Sequence, residues 1–81
     1  MYNNLSERLI RMKLTEATEG TEYIVNSINT EDEELNAFLF SLGCYRGEPI
    51  TIISHKRGGM VVSIKDGRYS IDNQLSDAIE V

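Results

Sequence analysis

The chain has 81 residues, of which 41% are hydrophobic and 26% charged, and its net charge is −5. This length fits one small domain, and no stretch approaches the roughly 20 consecutive apolar residues of a membrane-spanning helix. An acidic chain is poorly suited to bind phosphate backbones, so we expect no nucleic-acid partner and no direct insertion into a membrane. The single cysteine, Cys44, cannot form an internal disulfide, which favours a cytoplasmic location.

Residues 1–11, with the sequence MYNNLSERLIR, are interpreted as an N-terminal extension that precedes a domain spanning 12–81. Asn4 is a suitable helix cap and apolar residues follow it at helical spacing, so a short helix is predicted there. An arm that binds a partner is the alternative. The segment TEYIVNSI at 21–28 is rich in β-branched and aromatic residues, which predicts the first strand of the domain.

An amphipathic helix is predicted over about 31–42. Thr30 and Glu33 have the spacing of a capping box, and acidic residues in the first turn suit the helix dipole. The apolar residues recur at i, i+3, i+4 and i+7, namely Leu35, Phe38, Leu39 and Leu42. Gly43 stands where a left-handed C-terminal cap is expected.

The remaining signals predict closely spaced strands. Gly47 permits a second tight bend after the helix, and Pro49 belongs at the beginning of a strand because it cannot donate a ladder hydrogen bond. Asp66-Gly67 predicts a hairpin turn. A single helical turn over 72–78 and a closing strand over 79–81 complete the chain. Five short strands with one inserted helix favour a mainly β fold, a small and partly closed barrel.

No catalytic, metal or cofactor site emerges from the residue types. His55 is the only histidine, no nucleophile motif accompanies it, and we interpret it as a surface residue of a strand. Cys44 and His55 provide too few ligands at suitable spacing for a closed zinc site. Cys44 is interpreted as a small buried apolar residue. We therefore expect a protein that is not an enzyme and needs no cofactor.

Surface residues of the kinds that interfaces favour are more informative. Aromatic residues, methionine and arginine are enriched where interfaces concentrate their binding energy. The candidates for contact with a partner are Phe38, Tyr45, Arg46, Arg57 and Met60. Tyr69 adds a further aromatic side chain near them in the sequence.

The order and spacing of these signals resemble FeoA, the small cytosolic partner of the bacterial ferrous-iron transporter FeoB. The resemblance covers residues 12–81 and is carried above all by the pattern LGxxxGxxIxI, from Leu42 to Ile52, and by the terminal IxV. Further matching positions are Met12, Lys13, Leu14, Gly20, Ile24, Ile28, Leu39, Gly58, Gly59, Val62, Ile64, Gly67 and Ile71.

The resemblance implies an SH3-like small five-stranded barrel with an inserted helix, which agrees with the predicted element order. It also implies an accessory role in ferrous iron uptake, in which the domain docks onto the cytosolic part of a FeoB-type transporter. The same fold forms the C-terminal domain of iron-dependent repressors. The alternative function is therefore a metal-responsive regulatory domain that binds a transition metal itself.

Overall fold

A computed structural model describes residues 12–81 of the chain. The helix and the arm considered for residues 1–11 lie outside the described residues. After a single 3-10 turn at Leu14–Glu16, the elements are β1 (Glu22–Ile24), β2 (Ser27–Ile28), α1 (Glu33–Leu42), β3 (Pro49–Lys56), β4 (Gly59–Ile64), β5 (Gly67–Asp72), α2 (Asn73–Ala78) and β6 (Ile79–Glu80).

The strands form two antiparallel sheets. One sheet has four strands in the order β1-β3-β4-β5, and the other pairs β2 with β6. The mainly β prediction is confirmed, but within residues 12–81 there are six strands rather than five, and the two sheets do not join into one closed barrel. No helix of these residues is long and apolar enough to cross a membrane.

The extra strand arises because the segment at 21–28 does not form one continuous strand. The backbone N–H of Val25 donates to Glu48 O at 2.9 Å, and the next N–H, of Asn26, donates to Glu80 O at 2.7 Å. Consecutive residues therefore bond to different sheets, and the chain bends there. β1 joins the large sheet and β2 joins the small one, so the prediction of a single strand is wrong.

The core lies between the two sheets and α1. Its fully buried side chains come from every part of the fold, and the largest are Leu14, Leu39, Ile50, Ile52, Met60, Ile64 and Ile79. In β4 the alternation of the strand points Met60, Val62 and Ile64 inward. Met60 was expected at a partner-binding surface, but only 1% of it is exposed. The prediction that Met60 lies at the surface is therefore wrong, because the alternation of β4 points its side chain into the core.

Helix α1 begins two residues later than the sequence predicts. Asp32, not Thr30, is the N-cap, and its carboxylate accepts hydrogen bonds from the N–H groups of Glu34 and Leu35 at 3.0 and 3.2 Å. The Thr30 hydroxyl instead accepts from the N–H of Asp32 at 3.0 Å. The capping-box prediction is therefore wrong in register, because two good capping residues compete within one turn.

The end of α1 is as predicted. Gly43 has a φ of 92°, and its N–H donates to Phe40 O at 2.9 Å, while the N–H of Cys44 donates to Leu39 O at 2.9 Å. These two bonds form a Schellman motif, which satisfies carbonyls at the end of the helix. Gly47 also has a positive φ, of 91°, and Pro49 begins β3. The two glycines thus form the predicted corner between helix and strand.

The hairpin of β4 and β5 turns one residue earlier than predicted. Lys65 and Asp66 form the turn, Lys65 with a φ of 53°, and Gly67 pairs with Ile64 as the first residue of β5. A Cβ at Gly67 would lie 2.6 Å from Cζ of Tyr69. The glycine therefore makes room for the folded-back tyrosine ring. The predicted helical turn and closing strand are confirmed as α2 and β6.

Candidate docking surface

Two phenylalanines of α1 are exposed on either side of a buried leucine. Leu39 is completely buried, whereas 47% of Phe38 and 64% of Phe40 remain exposed. Successive helical residues are about 100° apart around the axis, so the two rings lie on opposite sides of the Leu39 contact. Phe38 therefore does not join the predicted apolar stripe, of which Leu35 and Leu42 are half-buried.

A cavity of about 560 Å³, here called the hairpin cavity, lies between the end of α1 and the β4–β5 turn. Phe40, Tyr45 and Tyr69 line it, and the ring centroids of Phe40 and Tyr45 are 4.8 Å apart at a tilt of 33°. Lys65 Nζ lies 5.5 Å from the Tyr45 centroid, within reach of a cation–π interaction. The cavity thus combines aromatic surface with one cation.

Lys65 is held in place by a carboxylate. Its ammonium donates to Glu48 Oε1 at 2.6 Å, and this hydrogen bond raises the pKa of Lys65 above its usual value. The side chain remains 48% exposed, so this ion pair contributes more to the position of the ammonium than to stability. One end of the hairpin is thereby fastened to the segment that follows α1.

A second cavity of about 310 Å³, here called the Gly59 cavity, lies near the β3–β4 turn. Phe38, Arg57 and Leu75 line it, together with the buried Met60. Gly59 has no space for a side chain, because a Cβ there would lie 3.0 Å from Cα of Asp72 and still closer to Ile71 O. Only a glycine fits at this position of β4, beside Ile71 and Asp72 of β5.

The structure divides the five predicted contact residues among different places. Tyr45 lines the hairpin cavity, whereas Phe38, Arg57 and Met60 line the Gly59 cavity. Arg46 is exposed and lines neither of these two cavities. The predicted residues therefore do not form one continuous patch.

Phe40 and Lys65, whose side chains lie against Tyr45 in the hairpin cavity, were not among the predicted contact residues. A signal for Phe40 is present in the sequence Phe38-Leu39-Phe40. If Leu39 is the buried residue, an aromatic residue immediately after it falls off the apolar stripe and must be exposed. Lys65 has no comparable signal, because it lies in the β4–β5 turn, which is distant in sequence from α1 and reaches the cavity only through the fold.

The polar residues with possible chemistry lie elsewhere. Cys44 is 1% exposed, and burial raises the pKa of its thiol to about 11, as befits the predicted apolar role. His55 is exposed on β3, and its Nε2 donates to Ala17 O at 2.8 Å. Within residues 12–81, no three histidine, cysteine or acidic side chains lie close enough together to hold a metal ion.

These features define a small antiparallel β domain with an inserted helix and two surface cavities beside exposed aromatic residues. A family model for the FeoA domain matches residues 12–81, and the chain belongs to this family. No curated protein sequence matches the chain significantly.

Solved structures share the fold. One is an iron uptake regulatory protein, FeoA, with a TM-score of 0.79 and 24% identity, covering 89% of this chain and 95% of its own. The zinc complex of Stenotrophomonas maltophilia FeoA, described as an SH3 domain protein, has a TM-score of 0.74 and 18% identity, with 84% and 86% covered. A manganese-dependent transcriptional repressor has a TM-score of 0.82 and 18% identity over 89% of this chain, which spans only 41% of the repressor.

Proposed function

We propose that this protein is a cytoplasmic, non-enzymatic accessory module for ferrous iron uptake that docks onto the cytosolic part of a FeoB-type transporter. Membership of the FeoA family supports the process. One solved relative with the same fold is described as a candidate activating factor of bacterial ferrous iron transport. The SH3-like fold of the solved relative, here built from two antiparallel sheets and an inserted helix, would present the docking residues.

One observation carries the proposal. Phe40, with 64% of its surface exposed, stands beside Tyr45 at the rim of the hairpin cavity. Phe38, 47% exposed, stands at the Gly59 cavity. Large aromatic side chains next to a concavity are the usual centres of binding energy in protein interfaces. Leaving two of them in water has no benefit for the fold, whereas a docked partner would cover both.

The test is a titration with the cytosolic GTP-binding domain of the transporter. Phe40→Ala is expected to weaken binding by about 2 kcal/mol or more, as at an interface hot spot. Ile24→Ala is the matched control, since Ile24 is 56% exposed on β1 and lines neither cavity. Equal affinity of both variants and the wild type would contradict the assigned surface. No binding of the wild type would contradict the proposed partner.

The alternative, a metal-responsive regulatory domain, is favoured by the shared fold of the manganese-dependent repressor. It requires ligands that converge on one point. Cys44, the strongest candidate ligand, is buried with a raised thiol pKa, and His55 already donates Nε2–H to a backbone carbonyl. Metal binding would therefore require Cys44 to become exposed and His55 to leave its hydrogen bond. The docking function requires neither change, and we prefer it for that reason.

A further inference from the structure

The two cavities are bounded by the same two elements, α1 and β5. Phe38 lies with Ser70–Asp72 at the Gly59 cavity, whereas Phe40–Gly43 lie with Gly67 and Tyr69 at the hairpin cavity. Residue numbers rise along α1 where they fall along β5, so the helix runs antiparallel to the strand. The cavities therefore follow one another in the space between them, which we call the α1–β5 groove.

The groove follows the edge strand of the large sheet. β5 is the last strand of the four-stranded sheet. The Gly59 cavity contacts both Ser70 and Ile71. Neighbouring side chains of a strand point to opposite faces, so a lining of consecutive residues is consistent with a cavity that follows this edge strand.

The backbone of β5 offers hydrogen bonds on this side. The two-residue turn makes Ile64 and Gly67 the closing pair of the hairpin, which exchanges both backbone hydrogen bonds. The pattern alternates, so the backbone groups of Arg68 and Ser70 point away from β4. Among the hydrogen bonds within residues 12–81, none joins these outward backbone groups to another residue. Such an edge is a template for one more strand.

Positive charge surrounds the groove although the chain is acidic. Four of the eight basic residues of a chain with net charge −5 lie along it, namely Lys56, Arg57, Lys65 and Arg68. The acidic residues that line the two cavities are Asp66 and Asp72, and the carboxylate of Asp72 accepts the N–H of Leu75 as a helix cap. Lys65 is already paired with Glu48, so Lys56, Arg57 and Arg68 are the basic residues left to favour acidic groups in a bound segment.

We infer that the α1–β5 groove binds an extended segment of a partner protein, which adds to β5 as a further strand. The segment carries apolar side chains at alternate positions and acidic residues at its ends. Alternate side chains project on one face about 7 Å apart, so two of them enter the successive cavities. The inference rests on the proposed function, since the segment belongs to the protein onto which the domain docks.

The chemistry of the segment is tested with labelled synthetic peptides and the full chain. The probe has two leucines separated by one residue and aspartates at both ends, and its binding is followed by fluorescence anisotropy. One control carries N-methyl groups on the backbone amides between the leucines, and another has the leucines adjacent. We expect each control to bind about tenfold more weakly, from the loss of backbone bonds or of cavity contacts. Equal binding of all three peptides would overturn the inference.

The strand addition is tested with Ser70→Pro in the full chain. The Ser70 N–H points away from β4, so proline removes an outward donor without breaking the ladder, as is tolerated on edge strands. Ser70→Ala is the matched control, because it removes the hydroxyl and keeps the amide. We expect Ser70→Pro to melt like Ser70→Ala and to bind the probe about tenfold more weakly. If Ser70→Pro unfolds the chain, the binding of the N-methyl peptide to the wild-type chain tests strand addition instead.

Failure of the inference and failure of the proposed function give different results. Transporter binding that Ser70→Pro leaves unchanged overturns strand addition and keeps the docking function. Peptide binding without transporter binding overturns the docking function, but it supports the α1–β5 groove as a binding site for an extended segment. Two results would overturn the inference. Concentration-dependent dimers that Ser70→Pro abolishes would show that β5 pairs with a second copy of the chain. Nuclear Overhauser contacts between β5 and residues 1–11 would show that it pairs with the chain's own N-terminal segment.

Discussion

The Lys65 side chain lies directly across Gly43, so that a Cβ on this glycine would be 2.7 Å from Lys65 Cε and 3.0 Å from Cδ. Gly43 is therefore required for its φ of 92° at the end of α1, and it also leaves room for the end of the lysine side chain. The lysine in turn reaches Glu48 beyond the helix corner. Helix end, hairpin turn and hairpin cavity thus depend on one contact.

Substitution of Gly43 is expected to destabilise the protein more than substitution of Gly47. Both have φ near 90°, but a Cβ at Gly47 meets nothing within 4 Å. Gly47→Ala should cost about 1 kcal/mol from backbone strain. Gly43→Ala should cost slightly more, because the flexible end of Lys65 must also shift and its ion pair with Glu48 is disturbed. Gly43→Val adds a β-branched side chain at positive φ and should cost at least as much as Gly43→Ala.

The measurement is the free energy of unfolding in urea. Gly43→Ala is also measured in a Lys65→Ala background and compared with Lys65→Ala alone. The ion pair with Glu48 is then absent from both chains, so the smaller loss expected in this background reports the clash. Equal losses for Gly43→Ala and Gly47→Ala would show that the Lys65 contact has no energetic weight.

Asp32 is expected to stabilise the start of α1. Asp32→Ala removes two hydrogen bonds to backbone N–H groups and should cost about 1 kcal/mol, whereas Thr30→Ala removes only one and should cost less. Backbone chemical shifts over 33–35 report fraying of the first turn. A larger loss in Thr30→Ala would restore Thr30 as the cap.

The parts of the fold that were predictable depend on neighbours in the sequence. Gly43 and Pro49 restrict the backbone by themselves, so the end of α1 and the beginning of β3 follow from residue type. The start of α1 was missed because the choice between Thr30 and Asp32 depends on the path of the entering chain. The break after Val25 was missed because its causes, Glu48 and Glu80, are distant in sequence.

The candidate surface was less predictable for the same reason. Residue type singled out Phe38, Tyr45 and Arg57 as candidates, but their division between two cavities depends on the position of α1 beside β5. Met60 is of a residue type that is common in interfaces, and only the strand register shows that it lies in the core. Interface composition is therefore informative only once burial is known.

Stability is expected to fall at alkaline pH because of Cys44. Burial raises the thiol pKa from 9.0 to about 11 in the folded state. Below pH 9 the thiol is protonated in both states, so its contribution is fully present. Between pH 9 and 11 the unfolded state ionises first, and the contribution is lost as the pH rises through the folded pKa. The loss is about 2 to 3 kcal/mol, at 1.36 kcal/mol per pKa unit.

The measurement compares the pH dependence of unfolding in wild type and Cys44→Ala. Lysines and tyrosines titrate in the same range in both proteins, so the difference between the two curves isolates the thiol. A constant difference from pH 7 to 11 would contradict the raised pKa. Slow reaction of the native thiol with alkylating reagents at pH 8 is expected for the same reason.

The isolated protein is expected to bind no transition metal tightly. Residues 12–81 hold no cluster of three ligand side chains, and the sequence of residues 1–11 contains no histidine or cysteine. Calorimetry with ferrous, manganous and zinc ions should show no stoichiometric submicromolar site. Such a site, lost in Cys44→Ala, would promote the metal-responsive alternative and would require the core around Cys44 to open.

Docking onto the transporter is expected to depend on both cavities independently. Tyr45 lines one cavity and Arg57 the other. Tyr45→Ala and Arg57→Ala should each weaken binding, and the double variant should lose about 2 kcal/mol or more, close to the sum of the single losses. Both side chains lie at the surface, half-buried and exposed respectively, so thermal stability should change little. Isothermal titration calorimetry with the cytosolic domain of the transporter measures the affinities of the wild type, the two single variants and the double variant. Unchanged affinity in the double variant, with chemical-shift changes confined to the opposite side of the domain, would place the docking surface elsewhere.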